Sequence, residues 1–409
     1  MKIKVVIGAN YGDEGKGRAT DFLVEDASSR WQASSLVVLN NGGPQRGHTV
    51  QLNDGTQHVF HHFGSGTLRG ADTLISDNFY VNPILFMREW KELQDKIENP
   101  DRLKIYVDEN CTITTPYEMI ANQIISTYIG ATNTCGLGIY ETSVQKGGLT
   151  FKSIESKYRF NDKIFGYQYL EEVSNIADSL KNILELKYKQ LPIFISEMMK
   201  KRDVSCDRKI IKQLIQDYFK DIDVDKLNER FIDDCLEMEK IVHLTKIDSY
   251  FCEIMRDKYE QIIIENGQGL LLDQDADRLF GTPSKTGAEG ANEFISKFNP
   301  TEEDNIELVY VTRSYLTRHG DGPMIGKQIT NDKVIDQIKS IESTNVPNQW
   351  QGTMRFSTLD WEELLTRIRN DSNKFKFPHS TWIAMNQLHS SIYPEHFSEF
   401  EYPKIGYFF

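Results

Sequence analysis

The chain has 409 residues, more than a minimal module needs and enough for one large α/β body or two domains with a sizeable core. Its 39% hydrophobic and 26% charged residues are ordinary for a globular protein and exclude disordered, collagen-like and disulfide-scaffold classes. With 47 Lys and Arg against 60 Asp and Glu, the net charge of −13 disfavours a nucleic-acid backbone or an anionic membrane as partner. A small phosphorylated ligand stays open, because local backbone dipoles can override the global field. The five cysteines, Cys111, Cys135, Cys206, Cys235 and Cys252, form no CxxC pair, which fits a reducing compartment without structural zinc. No apolar run is long enough to span a membrane and no signal-peptide stretch opens the chain, so a soluble cytoplasmic protein is expected.

In chain order, the apolar run Lys4-Val5-Val6-Ile7 predicts a strand, Gly8 to Gly17 a glycine-rich loop, and Ala19 to Val24 a helix. Further strands are predicted at Leu36–Leu39, Ile105–Val107, Gln261–Ile264 and Leu308–Val311. Four of the five runs lead into Gly-, Asn- or Asp-rich loops, the pattern of strands whose carboxyl ends carry a ligand site. Residues 154–257 are nearly free of glycine and proline and repeat apolar residues at helical spacing, as in Ile176, Leu180, Ile183 and Leu184. The expected architecture is α/β: a single large body over residues 1–409, a mostly parallel central sheet with a P-loop-like phosphate site, and a mostly helical insertion at 154–257 with a charged solvated face.

The strongest chemical signal is Gly8-Ala9-Asn10-Tyr11-Gly12-Asp13-Glu14-Gly15-Lys16-Gly17. Glycines at 12, 15 and 17 allow the backbone to approach phosphate oxygens, Lys16 supplies a mobile point charge, and the following helix offers unpaired N–H groups. The loop departs from the usual GxxxxGK[ST] pattern: its glycine spacing is longer, and Gly17 stands where a hydroxyl would hold Mg²⁺, a role Asp13 can take. His48 lies in a second glycine-flanked loop, Gly47-His48-Thr49-Val50, after the second strand. His61 and His62, read as neighbours on a strand, point to opposite faces and are expected to be structural.

Gly12 to Gly17, Gly47-His48-Thr49-Val50 and Ser65-Gly66-Thr67-Leu68 together resemble the adenylosuccinate synthetase family. The resemblance continues in the family's order through Val81-Asn82-Pro83, Phe86-Met87-Arg88-Glu89, Ile129-Gly130-Ala131-Thr132, Gly136-Leu137-Gly138, Glu265-Asn266-Gly267-Gln268-Gly269 with Leu271-Leu272-Asp273, and a T-R-x-G-x-G-P turn at Thr317–Pro323. It implies a Mg²⁺-dependent ligase that joins L-aspartate to C6 of inosinate through a 6-phosphoryl intermediate, driven by a nucleoside triphosphate. By resemblance, Asp13 is base and metal ligand together with Gly47. Lys16, His48 as an acid on the 6-oxygen, and Gln268 complete the catalytic set. Gly12, Asp13, Glu14, Gly15, Lys16, Gly17, Gly47 and Thr49 surround the phosphates. Gln45, Thr132, Lys146, Gln268 and Thr286 are implied for the substrate nucleotide, with Lys146 reaching across a homodimer, and Thr353 and Arg355 for aspartate.

Two departures bear on specificity. The family's guanine-reading T-K-x-D corresponds to Trp382–Gln387, with Ala384 for the lysine and Asn386 for the aspartate. Asn386, with Gln387 beside it, offers one donor and one acceptor, the complement of adenine rather than of guanine's two donors. ATP or dATP is therefore expected over GTP; Glu395 or Glu399 is the alternative reader. The aspartate loop is also altered, with Asn345-Val346-Pro347-Asn348-Gln349-Trp350 where the family carries a threonine and arginine cluster. Two other readings stand beside the inosinate ligase: the same chemistry on guanylate or deoxyguanylate, as in phage-type relatives, and a catalytically silent nucleotide-binding protein.

Overall fold

The computed structural model describes residues 1–31, 34–130, 134–145, 148–155, 161–162, 167–168, 176–274, 284–320, 322–341, 350, 352–386 and 404–407. The amino-terminal part runs β1 (Lys2–Gly8), α1 (Lys16–Trp31), β2 (Ser35–Leu39), β3 (His48–Gln51), β4 (Gln57–Phe60), β5 (Asp72–Ile75), α2 (Pro83–Leu93), β6 (Ile105–Asp108), α3 (Pro116–Ile129), α4 (Ile139–Ser143) and α5 (Phe151–Glu155). The middle holds β7 (Asn161–Asp162), β8 (Tyr167–Gln168), α6 (Ile176–Lys201), α7 (Arg208–Tyr218), α8 (Val224–Ile241), β9 (His243–Thr245) and α9 (Ser249–Lys258). The last part comprises β10 (Gln261–Gly269), α10 (Ala288–Ser296), β11 (Asn305–Thr312), β12 (Tyr315–His319), α11 (Asp332–Ile341), β13 (Met354–Thr358), α12 (Trp361–Ser372), β14 (Ser380–Met385) and β15 (Lys404–Tyr407).

Among the described residues nine strands form one sheet in the order β15-β14-β11-β1-β10-β2-β5-β6-β9, with every neighbouring pair parallel. The expected parallel α/β sheet is present, and all five anticipated strands lie in it. β5, β9, β14 and β15 were not anticipated, since their runs are short or polar. Both faces are covered, so strand residues alternate between two cores rather than between core and water. Val6, Val37, Leu39 and Ile263 pack under α1, α2, α3, α6 and α8, whereas Ile3, Val5, Ile7, Leu36, Val38, Ile262 and Ile264 pack under α9, α10 and α12. Parallel pairing brings the carboxyl ends of β1, β2, β10, β11 and β14 to one side of the sheet, where a doubly wound fold binds its ligand.

Within the span 154–257, α6, α7 and α8 supply the helical layer through Leu180, Leu184, Leu191, Ile211, Phe231 and Met238. The span also contains β9, which pairs with β6 at the sheet edge, and α9, whose Cys252 and Met255 join the opposite core. Among the described residues the helices of that layer therefore end at Ile241. The layer is tied to α3 by a buried ion pair. Glu118 closes a capping box with Thr115 at the start of α3, and its other oxygen accepts from Lys187 Nζ of α6 at 2.6 Å and Gln145 Nε2 at 2.7 Å. Burial alone would raise the Glu118 carboxyl; the Lys187 charge and these hydrogen bonds outweigh it and hold it below its usual range. Removing one member of such a pair strands the other in low dielectric. Lys187→Met is expected to cost about 3–5 kcal/mol in urea unfolding; a loss under about 1 kcal/mol would show that the tether is not buried as described.

Candidate active site

The loop from Gly8 to Gly17 folds around its own acid. Glu14 Oε1 accepts from the Asn10 and Gly12 N–H groups at 2.9 and 2.8 Å, and Glu14 Oε2 lies 3.6 Å from Lys16 Nζ. Lys16 donates to Gly12 O at 2.6 Å and is fully buried. This corrects the expectation of a mobile charge: Lys16 is fixed at the start of α1. Glycine is required here by space as well as by φ. Gly12 and Gly15 have φ of 107° and 90°, a region that penalises any side chain. A Cβ on Gly17 would come within 2.8 Å of His48 Cβ and 3.0 Å of the His48 carbonyl carbon, so the residue in the place of the P-loop hydroxyl is what lets β3 lie against α1.

His48 opens β3 rather than sitting in a loop, and it is buried. Its Nδ1 is 2.6 Å from Glu265 Oε1. Glu265 lies on β10, fully buried, and also accepts from Arg46 Nη2 at 3.0 Å, Ser65 N at 3.2 Å and the Ser65 hydroxyl. Burial would raise the Glu265 carboxyl, but the Arg46 charge, His48 and Ser65 hold it well below the usual range. Burial, aided by the Arg46 charge, pushes His48 down to about 4 against the pull of Glu265. The ring is therefore neutral at pH 7, donates through Nδ1 to the carboxylate, and presents Nε2 as an acceptor. Nε2 is buried with no hydrogen-bond partner among the described residues. The expectation that His48 serves as an acid thus holds only after Nε2 takes a proton, which an anionic group placed against it would favour. The family motif alone assigns Glu265 no role; an acid inside the buried strand Gln261–Gly269 is the signal for one.

Asp13 stands at the rim of the loop. Its Oδ2 is 3.0 Å from His319 Nδ1 at the end of β12. Burial would raise the Asp13 carboxyl, but the His319 hydrogen bond and the His319, Arg313 and Lys16 charges lower it. The two expected amides meet over Gly42, where a Cβ would lie 3.4 Å from both Gln45 Nε2 and Gln268 Nε2; Gln45 Oε1 is buried without a partner among the described residues, and Gln268 Oε1 accepts from Ser284 at 3.1 Å. Thr286 is fully buried and its hydroxyl is engaged by Gly269 O and Asp273 Oδ2, both at 3.3 Å, so it braces the turn after β10 rather than presenting a free hydroxyl. Gly47 is exposed, Thr49 half-buried and Thr353 exposed.

On the other side, β12 and β13 form an antiparallel ribbon in which Arg318 faces Arg355. Like charges placed opposite one another are unfavourable unless an anion joins them. Arg355 Nη2 donates to Gly322 O at 2.6 Å, Arg318 donates to Pro323 O, and Arg355 Nε is buried without a partner among the described residues. Asn386 follows β14 and is packed on the phosphate loop, donating to Glu14 O at 3.3 Å and accepting from Arg18 at 3.4 Å; a Cβ on Gly15 would overlap its amide. Thr132, Lys146, Gln387, Asn345–Gln349, Glu395 and Glu399 lie outside the described residues. Among the described residues no three His, Cys, Asp or Glu side chains gather as a metal site, and no helix is long and apolar enough to cross a membrane. A single partly exposed carboxylate at the rim of the loop, Asp13, fits a Mg²⁺ that would arrive with phosphates and take its remaining ligands from them and from water.

A family model described as adenylosuccinate synthetase matches residues 5–345. An adenylosuccinate synthetase of Aliivibrio fischeri is 28% identical over 325 residues, covering 78% of this chain and 62% of its own length. One of Coxiella burnetii is 29% identical over 337 residues, covering 80% and 65%. The chain thus spans less than two thirds of these curated relatives. Among solved structures, a fully ligated adenylosuccinate synthetase of Plasmodium falciparum superposes with a TM-score of 0.59 at 20% identity, over 93% of this chain and 76% of that one. The cyanophage S-2L succinoaminodeoxyadenylate synthetase, bound to dGMP and to dATP as an energy donor, superposes at 0.54 and 11% identity, over 94% and 84%. Both establish the fold. Glu265→Gln is expected to destabilise the protein by about 3–5 kcal/mol in urea unfolding, because Arg46 loses its buried counter-charge. Unchanged stability would mean that the Arg46, His48 and Ser65 cluster does not depend on the carboxylate.

Proposed function

The chain belongs to the adenylosuccinate synthetase family, and on that premise we propose that it is a C–N ligase joining L-aspartate to C6 of inosinate to give adenylosuccinate, in purine nucleotide biosynthesis. The observation that carries this reading is the meeting, at the carboxyl end of the sheet, of Asp13 and Lys16 after β1, His48 beside α1, and Gln268 at the end of β10. A purine 6-oxygen is a poor nucleophile until N1–H is lost. Asp13, ionised and at the rim, takes that proton; the 6-oxygen then bonds to the γ-phosphorus as the bond to the β-phosphate oxygen breaks, releasing nucleoside diphosphate. Asp13 and the Gly47 carbonyl would hold Mg²⁺, which would supply charge neutralisation at the phosphates when bound. Lys16 and the loop N–H groups face the phosphates. His48 Nε2, protonated as phosphoryl charge collects beside it, stabilises the 6-oxygen, and the Gln268 amide orients it. Arg355 and Thr353 hold the aspartate carboxylates. The aspartate amine adds at C6 and phosphate leaves.

Asn386 supports ATP or dATP as the phosphoryl donor, since its amide, on exchanging its long contacts to Glu14 O and Arg18 for the base, matches the adenine edge and lacks the two acceptors that guanine needs. Guanylate or deoxyguanylate as acceptor is the second reading, favoured by the likeness to a phage enzyme bound to dGMP and dATP. The discriminating measurement is phosphate release from inosinate, guanylate and deoxyguanylate, each with ATP or GTP and with or without aspartate. Release that needs inosinate and aspartate together, with ATP ahead of GTP by about tenfold in kcat/KM, is the expected result. Release without aspartate would sink the ligase reading, and strong GTP preference would sink the argument from Asn386. Asp13→Asn is expected to lower kcat by about 10²–10⁴; near-normal turnover would remove it as the base. A homodimer with Lys146 reaching the neighbouring site belongs to the same reading, and a fully active monomer in sedimentation would count against it.

A further inference from the structure

His319 occupies the open position of the T-R-x-G-x-G-P turn, where the pattern asks for no particular side chain, yet it makes the one side-chain hydrogen bond that Asp13 has among the described residues. The segment carrying it is docked on the phosphate loop at three points. The Arg318 guanidinium stacks 4.8 Å above the Tyr11 ring, Ile325 N donates to the Tyr11 hydroxyl at 3.0 Å, and His319 Nδ1 lies 3.0 Å from Asp13 Oδ2. Gly320, at φ 71°, ends β12 immediately after the histidine, so the ring sits at the fixed end of a paired strand rather than on a free loop. An ionised carboxylate only accepts, which sets the tautomer: Nδ1 carries the hydrogen and gives it to Oδ2. Asp13 Oδ1 makes no hydrogen bond among the described residues.

We propose that His319 is a positioning residue for the ligase reaction: its Nδ1–H pins Asp13 by Oδ2, so that Oδ1 is left to meet the N1 proton and the carboxylate as a whole is held where it would help bind Mg²⁺. The proposal rests on the function proposed above and adds a residue to it. A carboxylate on a glycine-rich loop has rotamer freedom, and one fixed donor removes it. Positioning errors of about 1 Å cost about 10²-fold in rate.

The test compares His319→Val, which removes the donor, with His319→Asn, whose amide N–H takes the place of Nδ1–H. In aspartate-dependent phosphate release, His319→Val is expected to lower kcat by about 30–100-fold with the purine-nucleotide KM changed less than about threefold, and His319→Asn to recover to within about fivefold of wild type. Turnover near wild type in the valine variant, or an asparagine variant as slow as the valine one, overturns the proposal, since shape rather than the hydrogen bond would then matter. Calorimetric binding of Mg²⁺·ATP to the same three proteins separates this result from the functional reading. Affinity is expected to fall about five- to tenfold for valine and to stay near wild type for asparagine. If the wild type releases no phosphate, the ligase reading falls and the affinity series alone decides the role of His319. Equal affinities, or a wild type that binds no Mg²⁺·ATP, overturn it.

Discussion

A carboxylate buried to zero exposure inside the central strand β10 governs the rest of the site. Glu265 cannot stay ionised there without partners, because an unpaired charge in a protein interior costs several kcal/mol. Arg46 supplies the opposite charge, His48 and Ser65 supply hydrogen bonds, and these come from two loop positions and the first residue of β3. Satisfying one acid therefore fixes the segment after β2, the start of β3 and the turn after β4 against the sheet. The same acid sets the His48 tautomer and leaves Nε2 without a hydrogen-bond partner among the described residues. A structural requirement and a chemical one are met by one group.

The phosphate loop is held by a parallel logic. Glu14 satisfies two of its N–H groups, Lys16 satisfies a carbonyl, and Arg367 of α12 reaches Ala9 O and Asn10 Oδ1, each at 2.8 Å. The loop is thus ordered by internal partners before any ligand, and a bound phosphate exchanges some of those partners for its own oxygens. Pre-ordering of this kind lowers the entropy lost on binding. The cationic ribbon of Arg318 and Arg355 faces the same loop, with Arg313 nearby. A chain that is acidic overall thus sets three arginines against this loop, a local field that favours anions.

Much of this was legible in the residues themselves. Five strands of β-branched character, the glycine loop after the first and the motifs that resemble one family pointed to the sheet and the family, and marked Asp13, Lys16, His48 and Gln268 as the candidate side chains of the site. These features are local: apolar runs bounded by turn residues, and glycines whose φ or close contacts exclude any other residue. What escaped was non-local. β5, β9 and β14 are too short or too polar to read alone and become strands because a neighbour offers them hydrogen bonds. β9, inside a stretch read as helical, joins the sheet for the same reason, whereas α9 of that stretch is a helix that packs in the opposite core.

Sequence alone determined the residue types the chemistry needs and the order in which they occur along the chain. Tertiary structure decided their states. Lys16 is immobile because Gly12 O and Glu14 close on it, and His48 is neutral because burial and Arg46 outweigh Glu265. Thr286 is a brace because Asp273 and Gly269 O reach its hydroxyl first, and Asp13 is pinned because a histidine 306 positions away ends a strand beside it. Charge state, hydrogen-bond direction and side-chain freedom depend on desolvation and on neighbours brought from far along the chain, and no spacing within one segment encodes them.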